Sequence, residues 1–125
     1  MERTNRQIVL IVDDEPVIRL IAAQGLEDAG FEVVEADSAD NALAILRSRA
    51  DVGVLFTDVN MPGSLDGMAL ARLVHQEWPA IEIVVTSGRN LTGTVPDDGK
   101  FMEKPYTIKE MADVITGVCE RRRSA

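Results

Sequence analysis

Cysteine and histidine are almost absent from this sequence, and their scarcity excludes several kinds of site. A single cysteine, Cys119, excludes an internal disulfide framework and a cysteine-based zinc site. Because the chain also has only one histidine, a metal ion would have to be held by oxygen atoms. Oxygen ligands favour a hard cation such as Mg²⁺.

Long apolar runs and an excess of positive charge are absent as well. No run approaches the ~18–20 apolar residues of a membrane span, and the polar residues 1–7 do not resemble a signal peptide. The chain has 13 Lys and Arg residues against 21 Asp and Glu residues, a formal net charge of −8. Since binding a phosphate backbone needs a basic face, this balance argues against nucleic acid as the main partner. We therefore expect a cytosolic protein that binds neither membrane nor nucleic acid.

Five short apolar runs are present, and longer amphipathic stretches separate them. The 125 residues are the length of one compact domain, and 46% of them are hydrophobic, which is enough for a core. The runs are residues 8–12, 31–35, 52–57, 81–86 and 100–103. The first and third are almost entirely apolar, as central parallel strands are, whereas the second alternates as an edge strand does.

The stretches between these runs have helical periodicity. The first apolar stripe fills half of a helical wheel and comprises Val17, Ile18, Ile21, Ala22, Gly25, Leu26 and Ala29. The last helix is predicted to bury Ile108, Met111, Ala112, Ile115, Val118 and Cys119. It opens with Thr107 and Glu110 at the spacing of a capping box.

Strands that alternate with helices indicate βαβ units with right-handed crossovers. The sequence therefore predicts an α/β fold with a doubly wound sheet of five parallel strands in the order 2-1-3-4-5. One domain would span residues 1–125, with its core at about 8–121. The segment from Gly88 to Gly99 is rich in Gly, Pro and Asp, so we expect a loop there and a fourth helix that is short or missing.

Polar residues follow four of the predicted strands. Asp13 and Asp14 come after the first strand, Asp58 after the third, Ser87 after the fourth and Lys104 after the fifth. Ligands of open parallel sheets bind at the carboxyl ends of the strands, and strands one and three are neighbours in this order. We therefore expect the three carboxylates to converge there.

Three converging carboxylates repel one another unless a cation lies among them, and Mg²⁺ is the cation that suits them. Lys104 would add a second positive charge, and Ser87 a hydroxyl donor. This set of groups is suited to phosphoryl transfer onto a carboxylate. Taken singly, each residue is also an ordinary helix cap or turn residue, and the joint placement favours the functional interpretation.

Four motifs at the predicted strand ends carry a resemblance to a known family. They are Val12-Asp13-Asp14-Glu15-Pro16, Thr57-Asp58-Val59-Asn60-Met61-Pro62 followed by Asp66-Gly67, Val85-Thr86-Ser87-Gly88 and Glu103-Lys104-Pro105-Tyr106. Together they resemble the receiver domain of bacterial two-component response regulators, of the single-domain, chemotaxis-regulator-like type, over nearly the whole chain. The resemblance implies a flavodoxin-like fold.

The resemblance also implies a role for each site residue. Asp58 would be the phosphoacceptor, and the backbone carbonyl of Asn60 would bind Mg²⁺ together with Asp13, Asp58 and, directly or through water, Asp14. Ser87 would be the hydroxyl switch position and Phe101 the aromatic one, while Lys104 would precede a cis proline. Two departures from the family pattern are an extra residue at 63–65 and the short, broken segment in place of the usual fourth helix.

The function implied is a phosphoacceptor receiver of a two-component or phosphorelay system. It would take phosphate from a histidine kinase or histidine phosphotransfer protein onto Asp58 and switch its binding to a downstream protein. We expect no enzyme activity beyond its own phosphotransfer and dephosphorylation, and the resemblance leaves oligomerisation open. Because the chain ends soon after the last predicted helix, output would pass through protein contact or phosphate relay.

Four alternatives stay open on the sequence. The chain could be a receiver fragment of a hybrid histidine kinase. The full set of acidic, hydroxyl and lysine residues weighs against a pseudo-receiver that binds partners without phosphate. A phosphatase that forms an aspartyl phosphate would need a second Asp two residues after the nucleophile, where this chain has Asn60. A flavodoxin-like cofactor binder is disfavoured because Asp13, Asp14 and Glu15 would repel a phosphate.

Overall fold

The computed structural model describes residues 8–61, 65–88 and 99–124, with side chains up to residue 120. Its five strands form one sheet in the order β2-β1-β3-β4-β5, and every neighbouring pair is parallel. The strands are β1 (Ile8–Val12), β2 (Glu32–Ala36), β3 (Val52–Asp58), β4 (Glu82–Ser87) and β5 (Lys100–Glu103). The predicted strand order is confirmed.

The described residues contain four helices, each of which follows a strand. They are α1 (Pro16–Asp28), α2 (Ala39–Ser48), α3 (Gly67–Glu77) and α4 (Ile108–Ser124). The capping box predicted at the last helix is present: Glu110 N–H donates to Thr107 Oγ1 at 3.0 Å, and Thr107 N–H donates to Glu110 Oε1 at 2.8 Å. The sequence also predicts a fourth helix that is short or missing. That prediction falls on residues 89–98, which lie outside the described residues.

The core lies on both faces of the sheet, as the continuous apolar runs predict. All residues of β1 and β3 are buried. On one face, Leu10 and Leu55 pack with residues of α2 and α3. On the other, residues of β1 and β3 pack with α1 and α4, of which Leu26 and Ile115 are fully buried. The edge strand β2 is less covered, and both its glutamates are exposed.

Of the apolar stripe predicted along α1, only Ala22 and Leu26 are buried. Leu26 is buried, whereas Val17 is 69% exposed and Ile21 is 53% exposed. Ile108, predicted to be buried in the last helix, is also 37% exposed. The periodicity identifies the apolar side of a helix, but burial requires an element that covers it, and in the described chain α1 is covered only towards its carboxyl end. There a Cβ on Gly25 would lie 2.5 Å from Ile108 Cγ2, so α1 and α4 pack closely at this point.

A membrane-crossing helix is missing from the part of the chain that the structure describes, where each helix is too short or too polar.

Candidate functional site

Three carboxylates meet at the carboxyl ends of β1 and β3. Val12 of β1 pairs in register with Thr57 of β3, so the next residues, Asp13 and Asp58, lie side by side. Both aspartates are buried, with relative exposures of 4% and 5%. One oxygen each of Asp13, Asp14 and Asp58 lies within 4.8 Å of the other two. The structure thus brings together the three residues that the sequence analysis placed at this edge.

Lys104 reaches this acidic cluster (Asp13, Asp14 and Asp58) from the end of β5. Its Nζ lies 3.1 Å from Asp58 Oδ2 and 3.9 Å from Asp13 Oδ2. Its backbone N–H donates to the carbonyl of Ser87 at 2.9 Å, which extends the pairing of β4 with β5 by one residue. The peptide bond between Lys104 and Pro105 is cis. One ammonium group therefore faces two buried carboxylates.

Ser87 and Asn60 join the ends of β4 and β3. Ser87 is the last residue of β4 and is 1% exposed. The Asn60 side-chain amide donates to Ser87 Oγ at 3.1 Å, and the Asn60 backbone N–H donates to Asp58 Oδ1 at 3.2 Å. Asn60, in the loop after Asp58, is thus hydrogen-bonded both to the acidic cluster and to the hydroxyl of Ser87, the expected switch residue.

Gly67 allows α3 to begin directly against the end of β3. Its N–H donates to the Val59 carbonyl at 2.9 Å. A Cβ at this position would lie 1.8 Å from the backbone oxygen of Asp58, a distance that no side chain can adopt. The preceding residue, Asp66, caps α3 by accepting from Ala69 N–H at 2.8 Å. The backbone of Asp58 is therefore held from the side of α3 as well.

Burial is the main influence on the charge of Asp13. Burial raises the pKa of Asp13, and the charges of Asp58 and Asp14 raise it further. Two groups partly offset this rise in the pKa of Asp13. They are the Glu15 N–H, which donates to Asp13 Oδ1 at 2.9 Å, and the Lys104 ammonium. The negative charge of Asp13 is thus incompletely compensated by the protein.

Tyr106 lies beside the cluster and has a strongly shifted phenol. Its ring packs edge-to-face on Phe56, with centroids 5.9 Å apart. Burial, followed by the charges of Asp13 and Asp58, raises the pKa of Tyr106 to about 12. The phenol is therefore neutral under ordinary conditions.

The donor set fits a divalent cation of the hard class. Three carboxylates and one ammonium leave an excess of two formal negative charges within a few ångströms. The available donors are oxygen atoms, which Mg²⁺ prefers. Carboxylates alone would repel, so a cation stabilises this arrangement.

Two features of the site were missed in the sequence. Arg19 Nη1 donates to the backbone carbonyl of Asp13 at 2.7 Å, and the Tyr106 phenol is influenced by the aspartates. An arginine in an amphipathic helix gives no signal that its side chain turns back to a preceding loop.

Phe101, expected to be a switch residue, lies on β5 in register with Val85 and is 38% exposed.

The chain resembles parts of larger signalling proteins. The nitrogen assimilation regulatory protein NtrX of Azorhizobium caulinodans is 36% identical over 119 residues, which are 90% of this chain and 25% of that protein. The sensor kinase CckA of Brucella abortus is 32% identical over 124 residues, which are 91% of this chain and 13% of that protein. The chain thus spans a quarter or less of the length of these relatives.

The fold is shared with solved receiver structures. Response regulator protein TrrA from Thermotoga maritima, solved in complex with Mg(2+)-BeF, has a TM-score of 0.81 and 21% identity, and the likeness covers 90% of this chain and 98% of that one. At the level of sequence, the response regulator receiver domain model matches residues 9–116. The chain therefore belongs to the family of response regulator receiver domains.

Proposed function

We propose that this chain accepts a phosphoryl group on Asp58 from a phosphohistidine of a histidine kinase or histidine phosphotransfer protein. The observation that carries the proposal is the position of the Asp58 carboxylate. It is buried at the end of β3, 3.1 Å from the Lys104 ammonium and within 4.8 Å of the Asp13 and Asp14 oxygens. A carboxylate placed in this way can act as a nucleophile while neighbouring groups stabilise the incoming phosphoryl oxygens.

The chemical step is an in-line transfer. An Asp58 carboxylate oxygen forms a bond to phosphorus as the bond from phosphorus to the imidazole nitrogen of the donor breaks. The electron pair of the broken bond goes to that nitrogen, and the product is an acyl phosphate. Lys104, already 3.1 Å from Asp58 Oδ2, would stabilise negative charge on the transferred group.

We propose that Mg²⁺ binds at the acidic cluster through Asp13, Asp14, Asp58 and the backbone carbonyl of Asn60. When bound, the ion would neutralise charge on the phosphoryl oxygens and hold them in position. The three carboxylate oxygens within 4.8 Å of one another support this assignment. The Mg(2+)-BeF complex of the related fold from Thermotoga maritima is in keeping with it.

The biological role that follows is signalling in the cytosol. Phosphorylation of Asp58 would switch binding to a downstream protein through Ser87 and Phe101, and the chain would catalyse only its own phosphotransfer and dephosphorylation. A phosphatase is disfavoured because Asn60, at the position of the required acid, is an amide that donates to Ser87. A receiver segment of a larger kinase is the second candidate, favoured by the 32% identity to the sensor kinase CckA.

The proposal is tested by the intact mass of the protein after incubation with acetyl phosphate. The wild type should gain about 80 Da, one phosphoryl group, when Mg²⁺ is present and much less when EDTA replaces it. Asp58→Asn should gain nothing, and the matched control Asp51→Asn, which changes an exposed aspartate paired with Arg49, should label as the wild type does. Equal labelling of Asp58→Asn would place the acceptor elsewhere and overturn the proposal.

A further inference from the structure

We infer that Arg19 is a positioning residue of the acidic cluster, because it fixes the peptide group between Asp13 and Asp14 and thereby the direction of both carboxylates. The inference rests on the proposed function in so far as it concerns Mg²⁺ affinity. Its structural part concerns residues of this chain alone.

The Arg19 guanidinium makes two hydrogen bonds in different directions. Nη1 donates to the backbone carbonyl of Asp13 at 2.7 Å, and Nε donates to Glu35 Oε1 at 3.1 Å. The Arg19 side chain is only 18% exposed. A planar fork of N–H groups is suited to such a double contact, whereas a lysine ammonium on a flexible stem is not.

Both backbone polar groups of Asp13 are connected to the end of β2, one directly and the other through Arg19. The Asp13 N–H donates directly to the Ala36 carbonyl at 3.2 Å. The Asp13 carbonyl is tied through Arg19 to Glu35, the residue before Ala36. The β1–β2 ladder ends at Val12 and Ala36, so Arg19 continues the connection past the last pair of the sheet.

The orientation of this carbonyl decides where the carboxylates lie. A change in the ψ angle of Asp13, which turns this carbonyl, would also change the direction in which the Asp14 side chain leaves the backbone. It would also disturb the turn in which Glu15 N–H donates to Asp13 Oδ1 at 2.9 Å. The cluster needs such a restraint because its three carboxylates repel one another and Asp13 is buried. Arg19 supplies it from outside the cluster.

The first readout needs no metal. In Arg19→Ala, hydrogen exchange at the Glu15 amide, measured without Mg²⁺, should be faster by about tenfold, while the amide of Leu55 in the core keeps its rate. The matched control is Arg49→Ala, which removes an exposed bidentate pair with Asp51 and should leave the Glu15 amide unchanged.

The second readout is Mg²⁺ affinity, measured by calorimetric titration of the unphosphorylated protein with MgCl₂. Groups that orient metal ligands change affinity by about 10–100-fold when removed. Since Arg19 acts through a backbone carbonyl, we expect the lower end, about a tenfold higher Kd, in Arg19→Ala and no change in Arg49→Ala. Arg19→Lys, which keeps the charge and one donor, should give a Kd between those of Arg19→Ala and the wild type. This variant also provides the test if Arg19→Ala does not fold.

The outcomes separate this inference from the proposed function. Unchanged Glu15 exchange in Arg19→Ala and Arg19→Lys would overturn the positioning role, even if Asp58 is phosphorylated normally. Faster Glu15 exchange with wild-type Mg²⁺ affinity would overturn the link from Arg19 to the cluster. If the wild type bound no Mg²⁺, the metal assignment under the proposed function would fail, and Glu15 exchange alone would decide the role of Arg19.

Discussion

The side-chain amide of Asn60 donates a hydrogen bond of 3.1 Å to the hydroxyl of Ser87, 27 residues further along the chain. This bond joins the loop after β3 to the end of β4. Because Asn60 also donates its backbone N–H to Asp58 Oδ1 at 3.2 Å, one residue contacts both the proposed acceptor and the proposed hydroxyl switch. Any movement of Ser87 towards Asp58 must therefore rearrange the bond from Asn60.

Gly67 and Gly117 form a matched pair that tests how closely α3 approaches β3. A Cβ at Gly67 would lie 1.8 Å from the Asp58 backbone oxygen, whereas a Cβ at Gly117 would meet nothing within 4 Å. Gly67→Ala should lower the free energy of unfolding by at least about 2 kcal/mol and reduce phosphorylation of Asp58. Gly117→Ala should raise it by about 0.5–1 kcal/mol, because alanine is the better helix former. Urea denaturation measures both, and a neutral Gly67→Ala would contradict the packing described.

Neutralising Asp13 should stabilise the metal-free protein at pH 7. Burial and the charges of Asp58 and Asp14 raise the pKa of Asp13, so its ionised form is disfavoured in the folded state. Asp13→Asn removes that charge and keeps the shape of the side chain. We expect a higher urea midpoint in EDTA together with weaker Mg²⁺ binding. A variant that unfolds, or that binds Mg²⁺ as tightly as the wild type, would contradict the role given to Asp13.

The same shift in Asp13 gives a pH dependence with a definite sign. A carboxyl group whose pKa is raised by folding stabilises the fold below its unfolded pKa of 3.8, and this stabilisation is lost as pH rises through the folded value. The stability advantage of Asp13→Asn over the wild type should therefore be largest at neutral pH and shrink as pH falls through the folded pKa. Denaturation of both proteins in EDTA at pH 7, 6, 5 and 4 measures this difference. A stability difference that does not change with pH would show that the charge of Asp13 is not its cause.

Much of the fold could be predicted because its determinants are local. The apolar runs of β1 and β3 are buried on both faces, and an alternating run forms the edge strand β2. Residues at the ends of parallel strands meet at one edge of the sheet whatever the details of packing, so Asp13, Asp58 and Lys104 could be placed together.

What could not be predicted depends on contacts between distant residues. Arg19 contacts Glu35 across 16 residues and a backbone carbonyl of a preceding loop, and neither contact leaves a pattern in the sequence. Val17 and Ile21 belong to an apolar stripe but are exposed, since periodicity does not indicate which part of a helix another element covers.

The titration of Tyr106 tests the electrostatic environment of the cluster directly, because it is the only tyrosine in the chain. Burial first, and then the charges of Asp13 and Asp58, raise its pKa to about 12. Its phenolate absorbance should appear about two pH units above the usual tyrosine range, and Asp13→Asn should lower that midpoint. Since the folded pKa is raised, Tyr106 stabilises the fold below pH 10, and that contribution is lost between about pH 10 and 12. A normal phenol titration would show that Tyr106 is not buried beside these carboxylates.

Phosphorylation should be transmitted from Asp58 through Ser87 to β5. A phosphoryl group adds negative charge that nearby donors can meet, and Ser87 and Lys104 are the candidates at this site. Movement of Ser87 towards the phosphoryl oxygens would replace the bond from Asn60 and open space beside the end of β4. Phe101, 38% exposed on the neighbouring strand, could rotate inward to fill that space by packing alone, because cores do not retain voids of aromatic size.

This mechanism predicts where amide hydrogen exchange changes when beryllofluoride and Mg²⁺ mimic the phosphorylated state. Exchange should change mainly between Ser87 and Tyr106. Helix α2 should hardly respond, because it packs beside β1 and β2, towards the edge of the sheet opposite β5. Ser87→Ala should still accept phosphate on Asp58, as shown by intact mass, but lose most of this exchange response. The matched control is Ser48→Ala, which changes an exposed serine at the end of α2 and should respond as the wild type does. A full response in Ser87→Ala would mean that the phosphoryl group acts on β5 by a route other than Ser87. The geometry offers one such route, the direct contact of Lys104 with Asp58.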